Sequence, residues 1–170
     1  GIPRERAELT VCTDGSIELV VGTMSSGQGH ETSFPQLVAQ WLEVPFDAIR
    51  FVVNDTDRVS VGGGSHSGRS MRLVSICVGQ AVEALIDKAK AIAAHMLQTS
   101  ADEVNYAYGQ LTTTAGASIA LADAAREADS SATLPQELRG PLEGIGDVVN
   151  RTGGFPYGSH VCEVEVDPET

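Results

Sequence analysis

Hydrophobic and polar positions along the chain change period several times, and each change marks an element. Glu8-Leu9-Thr10-Val11 and Ile17-Glu18-Leu19-Val20-Val21 are rich in strand-forming residues, and Asp14-Gly15 between them is a tight-turn pair, so the first 22 residues predict a β-hairpin. A loop of small residues, Thr23 to Gly29, follows. Phe34, Leu37, Val38, Trp41 and Leu42 then recur at steps of three and four, the apolar face of an amphipathic helix ended by Pro45. Ile49 to Val53 returns to a strand pattern. After a second small-residue loop, Gly62 to Gly68, the apolar positions Val74, Val78, Ala81, Leu85, Ile92 and Met96 predict the longest helix, buried along one face over roughly six turns.

The remainder is less regular. Asn105 to Thr113 reads as a second hairpin turning at Tyr108-Gly109-Gln110, and Ser118 to Asp123 as the start of a short helix capped by Ser118. From Asp129 to Gly158 no period is sustained, and Pro135, Pro141 and Pro156 interrupt the chain, so a long loop is expected there, either functional or a segment missing its packing partners. His160 to Val166 alternates as a strand and ends in the turn residues Asp167-Pro168-Glu169-Thr170. A strand that meets a turn requires a returning strand, so the sequence reads as a piece cut from a longer polypeptide. Its unpaired final strand would be free to pair with a second copy of the chain.

Composition narrows the function. With 42% hydrophobic and 20% charged residues in 170, the chain can bury a core. Its 23 acidic and 11 basic side chains give a formal charge of −12, which excludes a phosphate-tracking surface for nucleic acid and disfavours an anionic membrane. No apolar run approaches the ~18 residues of a membrane span, and no charged-then-apolar leader opens the chain. Cys12, Cys77 and Cys162 are three widely spaced thiols with no CxxC pair, read as reduced and mostly buried. His30, His66, His95 and His160 never reach metal-binding spacing, so no metal site is expected and the compartment expected is the cytoplasm.

The chemistry concentrates in the two small-residue loops. Gly22-Thr23-Met24-Ser25-Ser26-Gly27-Gln28-Gly29-His30 leads from a strand into a helix, and Gly62-Gly63-Gly64-Ser65-His66-Ser67-Gly68-Arg69-Ser70 leads into another. Glycines let a ligand approach the backbone, and the free amides and positive dipole end of the following helix suit a phosphate. Hydroxyls add donors, and Arg69 is the one basic side chain inside either loop. Gly63 to Ser70 stands one residue from a Walker A loop, with Arg69 in place of Lys; this leaves a P-loop-like nucleoside triphosphatase, or an autonomous nucleotide- or phosphate-binding module, as the alternative reading. Gly64-Ser65-His66-Ser67-Gly68 holds His rather than Ser at its centre, so no nucleophile elbow forms.

At these loops the sequence resembles the molybdenum hydroxylases, a family that includes xanthine dehydrogenase, aldehyde oxidase and aerobic carbon monoxide dehydrogenase. The resemblance is to the second molybdopterin-binding domain of their large subunit. It rests on Gly27-Gln28-Gly29-His30-Glu31-Thr32, on Asn54-Asp55-Thr56-Asp57-Arg58-Val59, on Gly64 to Ser70, and on the tail from Phe155-Pro156-Tyr157-Gly158 to Thr170. The resemblance implies that Gly27, Gln28, Gly29, His30 and Thr32 contact the pyranopterin and phosphate of the molybdenum cofactor. It also implies that Ser65, His66, Ser67, Gly68, Arg69 and Ser70 line the cofactor near molybdenum. The family's catalytic glutamate lies in a glycine-rich motif with no counterpart here, Leu142-Glu143-Gly144 being the nearest, so no catalytic residue is assigned.

The expected architecture is α/β (α+β), two small α/β lobes sharing a long central helix. Residues 1–100 would carry both glycine-rich loops, and 101–170 the hairpin, short helix, long loop and final strand. The implied role is part of a cofactor-binding domain in an oxidoreductase that hydroxylates an aldehyde or N-heterocycle with water-derived oxygen. Its cofactor would be molybdenum–molybdopterin in mononucleotide or dinucleotide form. The implied partners are the rest of the large subunit, iron–sulfur and FAD subunits or domains, and a small-molecule substrate. On its own the fragment is expected to hold no cofactor and to be inactive.

Overall fold

The computed structural model describes residues 4–149, 155 and 157–169. Pro156 and Thr170 of the resembling tail, and residues 150–154 of the expected loop, lie outside the described residues. The first hairpin forms as expected, from β1 (Arg4–Val11) and β2 (Ile17–Val21), with Leu9 opposite Leu19. Its turn closes through Gly15 N–H to the Cys12 carbonyl at 2.9 Å, while the Asp14 carboxylate accepts from Ser16 N–H at 2.8 Å. The first glycine loop leads to α1 (His30–Trp41), which buries Phe34 and Val38 and delivers β3 (Ile49–Val52) parallel to β2. The helix ends before Pro45, with Leu42 as its C-cap and Glu43 in a left-handed conformation (φ 49°) that lets Val44 N–H bond back to the Ala39 carbonyl.

The second glycine loop opens α2 (Arg69–Leu97), whose residues Val74, Val78, Ala81, Leu85 and Ile92 are all buried, as the periodicity requires. β4 (Val104–Ala107) and β5 (Gln110–Thr113) form the second hairpin. Tyr108 and Gly109 both take positive φ, the primed turn that suits a two-residue hairpin. Ser118 is not a helix cap: Ser118–Ala120 is a strand, β6, whose Leu111↔Ile119 register completes a three-stranded sheet. The helix α3 (Leu121–Ser130) starts after it, and Asp123 closes its first turn by accepting from Ala120 N–H at 3.1 Å. The short β-ladder outcompetes the serine cap because it pairs three residues at once.

The expected loop over 129–158 contains an eight-residue strand, β7 (Leu142–Val149), antiparallel to β1 along its whole length. The first sheet therefore runs β3-β2-β1-β7, and the second runs β4-β5-β6. β7 alternates as a strand should, but its buried positions are Leu142, Gly144, Gly146 and Val148, two of which carry no apolar side chain. A Cβ on Gly144 would stand 1.9 Å from the Ala81 carbonyl oxygen, and one on Gly146 would stand 1.9 Å from that of Cys77. Strand and helix backbones touch, and the absent side chains that permit it also erase the hydrophobic pattern. Glu143 lies on the exposed side of this strand and does not line the cleft between the two glycine loops.

The predicted strand His160–Val166 is not formed. Among the described residues they have no ladder partner, and they are exposed, Val161, Val164 and Val166 among them. Two α/β layers built on one long helix thus agree with the expected fold class, α2 packing on β1 and β7 of one sheet and on β4 and β5 of the other. Among the described residues no helix is long and apolar enough to cross a membrane.

Candidate functional site

The two glycine loops are brought together by backbone contact. A Cβ on Gly22 would lie 2.1 Å from the Val61 carbonyl oxygen, and one on Gly62 would lie 2.2 Å from that of Gly22, so the loops cross where only glycine fits. Beyond the crossing, hydroxyls and an amide tie them. Thr23 Oγ1 and Ser70 Oγ are 2.8 Å apart, Ser70 Oγ donates to Ser65 Oγ at 3.0 Å, and Gln28 Nε2 donates to Ser65 Oγ at 2.5 Å. Gln28 Oε1 also accepts from Ser26 N–H, so its amide is engaged in holding the loops.

The cleft between them has a volume of about 560 Å³ and is lined by Gln28, His30, Ser33, Ser65, His66, Ser67, Gly68, Ser70 and Met71. Six of the expected site residues other than Gln28 therefore meet there: His30, Ser65, His66, Ser67, Gly68 and Ser70. Gly27, Gly29, Thr32 and Arg69 are not among the residues lining it. Ser33 and Met71 were not anticipated. Ser33 sits three residues after His30 on the same helical face, a spacing that could have revealed it.

Both helices begin at this cleft with a glycine cap in the left-handed region, Gly29 (φ 75°) for α1 and Gly68 (φ 67°) for α2. Neither N-terminus receives a side-chain capping bond. Thr32 N–H already donates to the Gly29 carbonyl at 3.1 Å and Arg69 N–H to the His66 carbonyl at 3.0 Å, so no side chain caps either helix but part of each first turn is closed by backbone. The two dipoles place positive potential on one pocket. His30, the first residue of α1, is 4% exposed and stacks on Phe34 at a centroid distance of 4.6 Å. Its Nδ1 is buried without a hydrogen-bond partner, a state that costs free energy unless something supplies one. His66 is exposed on the opposite loop, its Nδ1 3.3 Å from Ser67 Oγ.

Arg69 is placed differently from the loop cation the sequence suggested. Its guanidinium is buried and donates to Glu5 Oε2 at 3.0 Å, to the Gly64 carbonyl at 2.7 Å and to the Arg4 carbonyl at 3.2 Å. A Walker-type lysine must reach a ligand phosphate, and this cation is already engaged in an internal ion pair; the nucleoside triphosphatase alternative is not favoured. No cluster of three His, Cys, Asp or Glu side chains suited to a metal occurs among the described residues.

A family model described as "Molybdopterin cofactor-binding domain" matches residues 1–170. The carbon monoxide dehydrogenase large chain of Hydrogenophaga pseudoflava is 28% identical over 170 residues, covering 98% of this chain and 21% of that protein. The gamma subunit of the 6-hydroxypseudooxynicotine dehydrogenase complex of Paenarthrobacter nicotinovorans is 28% identical over 167 residues, again 98% of this chain and 21% of that protein. Among solved structures, the Cu,Mo-CO dehydrogenase in its carbon monoxide reduced state superposes with a TM-score of 0.76 at 26% identity, over 85% of this chain and 18% of that one. The chain spans about a fifth of the length of these relatives.

Proposed function

Since this chain belongs to the molybdopterin cofactor-binding domain family, we propose that its cleft holds the phosphate and pterin end of a molybdenum cofactor within a larger oxidoreductase subunit. One observation carries the reading: two helix N-termini without side-chain caps open on a single cleft lined by hydroxyls and by His30. A polyanion rich in acceptors would complement both helix starts at once. The residues present fit such a group. Gln28 and His30 would hold it from the first loop, and Ser65, His66, Ser67, Gly68 and Ser70 from the second, while Gly27, Gly29 and Thr32, which do not line the cleft, would shape the first loop and the start of its helix. Arg69 would contribute its position at the helix start rather than its charge.

When bound, the cofactor supplies two-electron redox chemistry at molybdenum, with water as the oxygen source. This chain's residues bind and orient it. The amides of the two helix starts neutralise its phosphate without a basic side chain, and the Gln28–Ser65–Ser70–Thr23 chain keeps the loops at a fixed separation. Ser65 and Ser67 add hydroxyl donors, and Met71 gives the cleft an apolar wall. The 1–100 portion would act as the cofactor-holding part, with 101–170 buttressing it. A catalytic base would come from elsewhere in the full polypeptide. The full enzyme would be cytoplasmic, would oxidise a small aldehyde or N-heterocycle, and would pass electrons to iron–sulfur and FAD partners.

The test is molybdenum and pterin content of the purified full-length polypeptide carrying this chain. Near-stoichiometric occupancy is expected, falling about tenfold, equivalent to about 1.4 kcal/mol, in His30→Phe. In the cofactor-free chain the same substitution should raise stability by about 1 kcal/mol in urea titration, because it removes an unsatisfied buried polar atom while keeping an aromatic ring on Phe34. Full-length protein without molybdenum or pterin that instead binds a nucleotide with Mg²⁺ would overturn the reading.

A further inference from the structure

Behind the cleft, and not lining it, lies the buried ion pair of Glu5 on β1 and Arg69 at the first position of α2, with side chains 0% and 5% exposed. Such a pair is a poor stabilising device, since both charges lose their hydration. This one is also incompletely satisfied: Glu5 Oε1 has no hydrogen-bond partner, and burial raises the carboxyl pKa despite the adjacent guanidinium. Its geometry points to a different use. The guanidinium that meets Glu5 also grips the Gly64 carbonyl at 2.7 Å, and it packs so closely on Gly63 that a Cβ there would stand 2.4 Å from Nη2. Ser65, the next residue, is held by Ser70 and Gln28. The cleft-lining stretch Ser65 to Gly68 therefore departs from a segment anchored on one side by the ion pair and on the other by hydroxyls.

We propose that Glu5 and Arg69 are a positioning pair, which sets the path of the second loop so that Ser65, His66 and Ser67 face the ligand, without either charge touching that ligand. Glu5 orients the planar guanidinium, and the guanidinium's remaining donors fix Gly64 and the Arg4 carbonyl on β1. Lysine cannot replace this, because one ammonium does not span three oxygens as a rigid fork does. The loop-setting role stands on the geometry alone; its consequence for the cofactor rests on the reading above.

The experiment compares wild type, Arg69→Lys, Arg69→Met and Glu5→Gln by hydrogen exchange across the chain, and by molybdenum and pterin content of the full-length polypeptide. In Arg69→Lys, amides of 63–68 are expected to exchange about tenfold faster, with the β4–β5 hairpin and α3 unchanged, and cofactor content to fall about fivefold. Glu5→Gln and Arg69→Met should show larger effects at the same segment. Arg69→Lys retains the charge, so it remains informative if the neutral variants do not fold. Wild-type protection of 63–68 in Arg69→Lys, or a loosened loop with undiminished cofactor, would overturn the proposal. A wild-type full-length protein without cofactor would refute the function proposed above while the exchange data still decided the loop-setting role.

Discussion

At the scale of single residues, burial without a partner separates groups that serve the fold from groups that await something. Cys77 is the first kind. Its thiol is fully buried in α2, donates to the Glu5 carbonyl at 3.2 Å, and is pushed up to about 11 by burial and by the neighbouring Glu5 charge. Tyr106 behaves alike, its hydroxyl donating to the Leu42 carbonyl at 2.6 Å and raised to about 12 mainly by burial. In both, the native state keeps a proton that the unfolded chain releases at lower pH. The stability they contribute is whole below the unfolded pKa and is lost as pH rises through the folded one. Urea titrations should therefore show stability falling from about pH 9 towards pH 11, and Cys77→Ala should flatten the first part of that decline. An unchanged slope in the variant would assign the loss to other groups. His30 contrasts with both, its Nδ1 being buried at the first position of α1 with no hydrogen-bond partner.

Among the elements, β7 depends most on what is missing. Its eight residues pair with all of β1, yet Gly144 and Gly146 present bare backbone to α2. Substituting either with alanine places a methyl inside a carbonyl oxygen's contact radius, so helix and strand must separate. Gly144→Ala and Gly146→Ala are each expected to cost about 1–3 kcal/mol in chemical denaturation, whereas Gly140→Ala, outside the strand and with open space around it, should act only through its positive φ. Costs near zero at 144 and 146 would mean that the strand can slide outward freely. The outer face of the same sheet works by charge: Glu18, buried on β2, is held by both Arg50 and Arg58, and this ties the 55–59 turn beside the loops to the sheet.

For the whole molecule, a net charge of −12 surrounds a cleft proposed to take an anion. The two features are compatible because helix-end potentials act within a turn, while the surface charge is screened over about 8 Å at physiological ionic strength. A lysine-lined site loses affinity as salt rises; this one should not. Inorganic phosphate binding to this chain, followed by amide shifts of residues 29–33 and 66–71, is expected to hold or strengthen from about 10 to about 150 mM NaCl. A steep loss with salt would mean that basic side chains, not amides, carry the contact.

Much of this architecture was legible because it is written in side chains. The first hairpin, both major helices and the turn at Tyr108-Gly109 follow from local period and turn chemistry, and the two loops follow from their glycines and hydroxyls. The readings that failed share one cause. β7 hides because its buried face is glycine against a helix backbone, β6 because three residues declare no period, and 160–166 has the alternation of a strand but no ladder partner among the described residues. Arg69 looked like a ligand's cation because the sequence does not show that Glu5, 64 residues away, lies beside it. Local sequence thus determined which segments are helix, strand or anion cup. Only the tertiary structure decided which strands meet, where the buried charge goes, and that two glycine loops cross to make one cleft, because those outcomes depend on the space between backbones distant in the chain.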